Sequence, residues 1–253
     1  MIDTHCHVHD RKFDDDRDEA IARARVAGVS AMLTVGEDIA DSRRAIATAQ
    51  RYGLAAAVGI HPHEAKDAPA DIAGALRHLL DAPGVVAIGE TGLDYYYGHS
   101  PRQSQQNVLR AQLRLAREAG LPVVFHQRDA FDDFTAILRE EWRAEMRGVV
   151  HCFTGNEPQA RALVGEFGLL LGIGGVLTFP NAADLRDAVR AVGAHSLVLE
   201  TDCPYLAPVP MRGKRNEPAF VTHTAAKLSD VLALPIDDLV ATTDANARRL
   251  FPF

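Results

Sequence analysis

The sequence predicts an α/β fold, a (β/α)8 TIM-like barrel forming a single domain over residues 1–253. Three observations carry that prediction. Short β-rich runs alternate with helical stretches from one end of the chain to the other. The first run leads into His5-Cys6-His7 rather than into the Gly-rich phosphate turn that an open doubly wound sheet would place there. Titratable residues gather where the runs stop, which is where barrels keep their chemistry.

Taken in order, the expected strands are 1–4, 29–35, 54–60, 85–89, 122–125, 148–150, 169–172 and 196–199. Apolar residues recur at helical spacing over 18–27, 42–52, 102–119 and 158–167. Gly28-Val29 and Gly120-Leu121-Pro122 are good junctions, because glycine stops a helix and the residues after it start a strand. Two more helices follow the last strand, over 218–232 and 236–250. No repeat, Pro-rich linker or low-complexity segment divides the chain.

Composition removes several classes of function. With 47% hydrophobic and 24% charged residues the 253-residue chain is not disordered and can bury a large core. No apolar run approaches the roughly 18–20 residues that span a bilayer, so no membrane role is expected. The start MIDTHCHVHD lacks the basic opening and cleavage site of a signal peptide, and three cysteines make no disulfide framework. A cytoplasmic protein is expected, with a monomer favoured. Lys plus Arg number 27 against 34 Asp plus Glu, a net charge of −7. Such a molecule does not coat nucleic acid, and any site for a polyanion must be locally basic.

Reading only the strand ends gives His5 and His7 on the first, His61 on the third, Glu90 on the fourth and His126 on the fifth. The sixth ends in His151 and the eighth in Glu200-Thr201-Asp202. His5 and His7 are two apart, so on a strand both rings leave one face and can bind one ion. Asp202 lies beside the first strand once a barrel closes and can join them. His126 and His151 come from neighbouring strands and can share a second ion, with Glu90 bridging both. Burying so many polar rings without a cation would be unfavourable. Imidazole with carboxylate suits Zn, Mn or Fe, whereas Mg prefers more oxygen. Cys6, Cys152 and Cys203 alternate away from these groups and read as small packed hydrophobes. Of the other histidines, only His63 is near enough to the rim to contribute.

These residues sit in the segments Ile2-Asp-Thr-His-Cys-His7, Gly59-Ile-His-Pro-His63 and Ile88-Gly-Glu-Thr-Gly-Leu-Asp94. Further segments are Val124-Phe-His-Gln-Arg-Asp-Ala130, His151-Cys-Phe-Thr-Gly155 and Leu199-Glu-Thr-Asp-Cys-Pro-Tyr205. The series closes with Arg212-Gly-Lys-Arg-Asn-Glu-Pro218 and Asn246-Ala-Arg-Arg-Leu-Phe251. Together they resemble, over the whole chain, the TatD-like metal-dependent deoxyribonucleases of the amidohydrolase-like barrels. The resemblance implies a hydrolase with two divalent ions (Mg, Mn or Zn), acting on DNA as a 3′-to-5′ exonuclease. It implies metal ligands at His5, His7, Glu90, His126, His151 and Asp202. Gln127 and Cys203 depart from a frequent serine, which touches substrate detail rather than metal chemistry. No lysine lies between Lys66 and Lys214, so a carboxylated-lysine bridge is excluded.

Three catalytic roles follow. Asp202 is expected both to touch metal and to accept the proton of the attacking water, Glu90 to bridge, and His61 to donate to the phosphate. Arg128, Lys214 and Arg215 are candidate phosphate contacts outside the metal shell, and His63 is a candidate at the rim. Tyr95 or Tyr96 is expected to stack a terminal base, with at least one of Tyr95, Tyr96 and Tyr97 packed on a helix instead. Asp94 is expected to orient a metal-bound histidine. The expected partner is DNA, at single-stranded ends. The competing reading is an ester or amide hydrolase using the same site, such as an aminoacyl-tRNA deacylase or a small-molecule amidohydrolase. A non-catalytic metal-binding module would require a missing ligand, and none is missing.

Overall fold

A computed structural model describes residues 1–253. Its eight strands are parallel and follow one another in the sheet in the order β1 to β8, with helices between them, which is the expected (β/α)8 class. No helix is long and apolar enough to cross a membrane. By their internal packing the residues group into two units, Met1–Thr34 with His151–Phe253, and Val35–Val150.

The first unit joins both ends of the chain. It holds β1 (Ile2–Cys6), α1 (Arg17–Val26) and β2 (Ala31–Val35, all but its last residue). The pairing Ile2 with Ala31 shifts by the pairing of Cys6 with Thr34, so β1 bends near its end. Residues 35–150 belong to the second unit. After them the first unit resumes with α6 (Glu157–Phe167), β7 (Leu170–Ile173), α7 (Ala183–Val192), β8 (Leu197–Leu199), α8 (Val221–Leu232) and α9 (Ile236–Leu250). Helix α6 begins with a reciprocal cap between Asn156 and Gln159 and stops at Gly168 in the left-handed conformation. Helix α9 is stitched to the start of β8 by Asn246, whose amide donates to the carbonyls of Ala194 and Leu197. Strand β1 lies along the segment that follows β8: the Asp202 N–H donates to the His5 carbonyl at 2.9 Å and the His7 N–H to that of Cys203 at 2.7 Å.

The second unit holds α2 (Ile39–Tyr52), β3 (Ala55–Val58), α3 (Ile72–Leu80) and β4 (Val85–Asp94). It continues with α4 (Arg102–Ala119), β5 (Val123–Arg128), α5 (Phe131–Glu141) and β6 (Gly148–Val150). Helix α2 starts three residues before its expected position because Asp38 caps it by accepting from the Asp41 N–H. Strands β4 and β5 outrun their expected ends at 89 and 125. Their ladder continues through Gly92 opposite His126 to Asp94 opposite Arg128. A side chain at position 92 would strike the His126 carbonyl, so only glycine permits that approach. Glu90 and His126 therefore stand on paired strands, where the ladder fixes them, rather than on loops.

Candidate metal centre

In the first unit, β1 and the end of β8 bring His5, His7 and Asp202 together. The Nε2 atoms of His5 and His7 are 3.1 Å apart. Asp202 Oδ1 lies 3.5 Å from His7 Nε2 and 3.8 Å from His5 Nε2. His151, just past β6, stacks its ring on that of His5 with centroids 3.9 Å apart. Ligand atoms of His5, His151 and Asp202 all fall within 4.8 Å of one another. Two nitrogens bound to one tetrahedral ion at about 2.05 Å would be about 3.3 Å apart, close to the spacing seen. Three buried imidazoles around one carboxylate therefore fit a divalent cation. Burial pushes the Asp202 carboxyl up, but the hydrogen bond with His7 and the charge of the neighbouring imidazoles outweigh it and hold the group below its ordinary range. The residue has a positive φ of 56°, a conformation that aspartate tolerates better than most residues.

Two residues to which the sequence assigned no role stand beside this cluster. Glu200 is fully buried; its Oε1 accepts from the Cys152 N–H at 2.6 Å and lies 3.6 Å from His151 Nδ1. Its Oε2 occupies the space that a side chain at Gly172 would fill. Asp3 is also fully buried and accepts from the Thr201 N–H, the Thr201 hydroxyl and the His5 N–H, tying β1 to the segment after β8. Burial raises its carboxyl to about 8, against the pull of those bonds. The sequence signal for Glu200 was its place two residues before Asp202; for Asp3 there was none beyond an acid inside an apolar strand. Cys6 and Cys203 are buried, as expected of packed hydrophobes, whereas Cys152 is only half-buried; burial pushes the Cys6 thiol well up.

In the second unit the centre is His126. Its Nδ1 is 2.9 Å from Glu90 Oε1 and its Nε2 is 2.8 Å from Asp94 Oδ2. His61 Nε2 lies 3.3 Å from the same Glu90 oxygen, and His63 Nε2 lies 3.1 Å from Asp94 Oδ2. Glu90, His61 and His126 each offer a ligand atom within 4.8 Å of the others. Asp94 is bonded to the His126 ring and to the Tyr96 and Tyr97 N–H groups. Burial pushes its carboxyl up, but the bonds from His126 and from the Tyr97 N–H hold it far below the usual range. His61 Nδ1 accepts from the His63 N–H at 3.2 Å, so its remaining proton sits on Nε2. Burial lowers its pKa to about 4. Burial thus favours the neutral ring, with Nε2 facing Glu90. Burial likewise lowers His63.

Helix α4 positions this cluster through two buried glutamines seven residues apart, hence on one helix face. The Gln112 amide grips both the N–H and the carbonyl of Ile60, just before His61, and donates to Thr91 at 2.6 Å. The Gln105 amide grips the N–H and carbonyl of Asp94. Neither was singled out from sequence, since a glutamine on a helix ordinarily faces water.

The expected substrate contacts divide. Arg128 is exposed, and Lys214 is exposed in the loop after β8. Arg215 is not available in the same way: its guanidinium is bidentate on Asp16 at 2.6 and 2.7 Å and covers the Phe13 ring. Tyr95 also departs from expectation. Its hydroxyl donates to Asp133 and accepts from Gln106, and Arg102 lies over its ring, so it is the tyrosine packed toward α4 and α5. Tyr205, not considered before, is 41% exposed beside His7, with Lys12 over its ring.

The sequence pattern of the family described as TatD related DNase matches residues 2–252. A relative from Cronobacter turicensis, described as a 3′-5′ ssDNA/RNA exonuclease TatD, is 42% identical over 99% of this chain and 97% of its own. The Bacillus subtilis protein YabD, described as an uncharacterized metal-dependent hydrolase, is 38% identical over 99% of this chain and 98% of its own. The crystal structure of YJJV, a TatD homologue from Escherichia coli, superposes with a TM-score of 0.94 at 32% identity, covering 100% of this chain and 98% of that one.

Proposed function

Since the chain belongs to the TatD-related DNase family and is a metal-dependent hydrolase, we propose that it removes nucleotides from the 3′ end of single-stranded DNA, with residues 1–253 acting as one hydrolase domain. The observation that carries the reading is the convergence of the His5 and His7 nitrogens on the ionised Asp202 carboxylate. His5, His7, His151 and Asp202 would hold one divalent ion, His151 stacking on His5 and so joining this cluster instead of the ion expected for His126, and Glu90 with His126 would hold a second. Bound there, such ions supply Lewis acidity, lowering the pKa of water and neutralising phosphoryl oxygens. Asp202, kept as a base by its surroundings, accepts the proton of the attacking water through an oxygen not engaged by His7. Asp94 holds the His126 ring through its Nε2, and the Glu200 carboxylate stands 3.6 Å from His151 Nδ1. His61 donates its Nε2 proton toward the phosphate, a group on which charge builds as the bond breaks. Lys214 supplies a fixed charge for the phosphate chain, while Arg215 holds the loop that presents it.

The test is direct. Purified protein with Mg, Mn or Zn is given end-labelled single-stranded DNA, and the products are sized. A ladder receding from the 3′ end is expected. Intact DNA beside turnover of an aminoacyl ester or an amide would overturn the nuclease reading and leave the hydrolase standing.

A further inference from the structure

Tyr96 and Tyr97 follow β4 and are 58% and 51% exposed. Neither is a loosely held surface side chain. Asp94 Oδ1 accepts from the N–H groups of both, at 3.0 and 2.9 Å, while Asp94 Oδ2 faces the Nε2 atoms of His126 and His63. One carboxylate thus carries the tyrosine turn on one oxygen and the imidazole cluster on the other. The rings stand at 90° with centroids 4.9 Å apart. Arg128, paired with Asp94 across the ladder, lies over both, its guanidinium carbon 4.1 Å from the Tyr96 centroid and 4.8 Å from that of Tyr97. Its guanidinium donates to the Tyr97 hydroxyl at 3.4 Å. On the other side Tyr97 stacks on His99, with rings 9° from parallel, and meets His63 edge-on.

We propose that Tyr96, Tyr97 and Arg128 form a platform that takes the unpaired terminal base of a single-stranded oligonucleotide, deepening the nuclease reading on which it rests. The Tyr96 ring already carries the Arg128 guanidinium, its carbon 4.1 Å from the ring centroid, so a planar base can lie on that face while the Tyr97 ring, at 90° to it, meets the base by its edge. Displaced from the rings, the Arg128 guanidinium has a phosphate within reach of the same strand position. Asp94 sets the spacing, because platform and cluster are fixed to the same carboxylate. The end base of a blunt duplex is paired and stacked on its neighbour, so it must leave the helix to reach the platform, which therefore selects unpaired ends. The function of the three residues is specificity: they touch substrate remote from the breaking bond.

The experiment compares wild type with Tyr96→Ala/Tyr97→Ala, Tyr96→Phe/Tyr97→Phe and Arg128→Ala, each checked by thermal melting. Substrates are one oligonucleotide sequence as a single strand, as a blunt duplex, and as a single strand whose terminal nucleotide is abasic. A fourth probe carries 2-aminopurine at the 3′ end. The alanine pair is expected to raise KM for the single strand about ten-fold or more, in line with the worth of base–aromatic stacking. The phenylalanine pair keeps the ring faces and restores wild-type KM. In wild type the abasic end binds more weakly than the normal end, and in the alanine pair that ratio falls toward one, as does the preference for single strand over duplex. Quenching of 2-aminopurine on wild type, lost in the alanine pair, reports stacking directly. Unchanged KM in the alanine pair, or equal losses on normal and abasic ends, would overturn the platform, and so would a role for these rings in holding a partner protein. Quenching without cleavage would sink the nuclease reading but keep the platform; cleavage without quenching would do the reverse.

Discussion

Asp202 is where residue-level chemistry is most exposed to test. Its carboxylate stands 3.5 Å from His7 Nε2 and is held ionised by its imidazole neighbours. Asp202→Asn keeps the shape and removes the base, so kcat should fall by about 10²-fold or more even at saturating Mn, while the melting temperature stays near wild type. Steady-state kinetics across a metal titration checks this; full activity at high metal would remove Asp202 from proton transfer. Glu200→Gln tests a different task. The amide oxygen still accepts from Cys152, but the negative charge behind His151 is gone, so affinity for the ion should drop about 10- to 100-fold, read by calorimetric titration. At this scale much of the site was legible. His5, His7 and Asp202 are readable because strand period and barrel closure alone put them on one face. Glu200 was not, because its task depends on the missing side chain of Gly172, and that neighbour appears only once Ile173 is known to pair with Leu199.

Elements decide how firmly those residues are held. Gln112 satisfies both backbone groups of Ile60, and Gln112→Met would bury an N–H and a carbonyl without partners. A loss of about 2–4 kcal/mol is expected, together with a raised KM from a displaced His61. Denaturant titration checks the first and kinetics the second. Neither Gln105 nor Gln112 could be read from sequence, since helical spacing shows which face is buried but not that the buried group is a clamp. The loop after β8 makes the opposite point. Its basic run was legible as charge, yet Arg215 belongs to an ion-pair network with Asp16, Arg23 and Glu217, Arg212 lies over the Phe179 ring, and Lys214 is exposed. Arg215→Ala should therefore lower the melting temperature, whereas Lys214→Ala should raise KM for DNA without lowering it. Asp16 supplies a pH signature. Hydrogen bonds from Arg215 lower its pKa from 3.8 to about 2, so the network stabilises the folded state above about pH 4 and loses that contribution as pH falls through 2. In Asp16→Asn the acid limb of the stability curve over this window should flatten, with lower stability at neutral pH.

For the whole molecule, alternation of strand and helix made the fold class legible, but the packing of its elements into Met1–Thr34 with His151–Phe253 and Val35–Val150 was not, because it depends on side-chain contacts far apart in sequence. The charge balance leads to the last expectation. A net charge of −7 repels polyanions at long range, so binding must come from few, local phosphate contacts. The candidates are Lys214 and Arg128, both exposed, once Arg215 is assigned to Asp16. For single strands each neutralised phosphate contributes a slope of about −0.7 to the logarithm of affinity against the logarithm of salt, so two contacts give about −1.4. Apparent KM for a short single-stranded oligonucleotide should then rise only about seven-fold between 50 and 200 mM salt, whereas six or more contacts would raise it by several hundred-fold. Kinetics over that range at constant free metal measures the slope. A value near −1.4 that moves toward −0.7 in Lys214→Ala is the expected result; a slope steeper than about −4 would mean that the strand is tracked along a broad basic surface, which this acidic chain would have to assemble from arginines now paired with carboxylates.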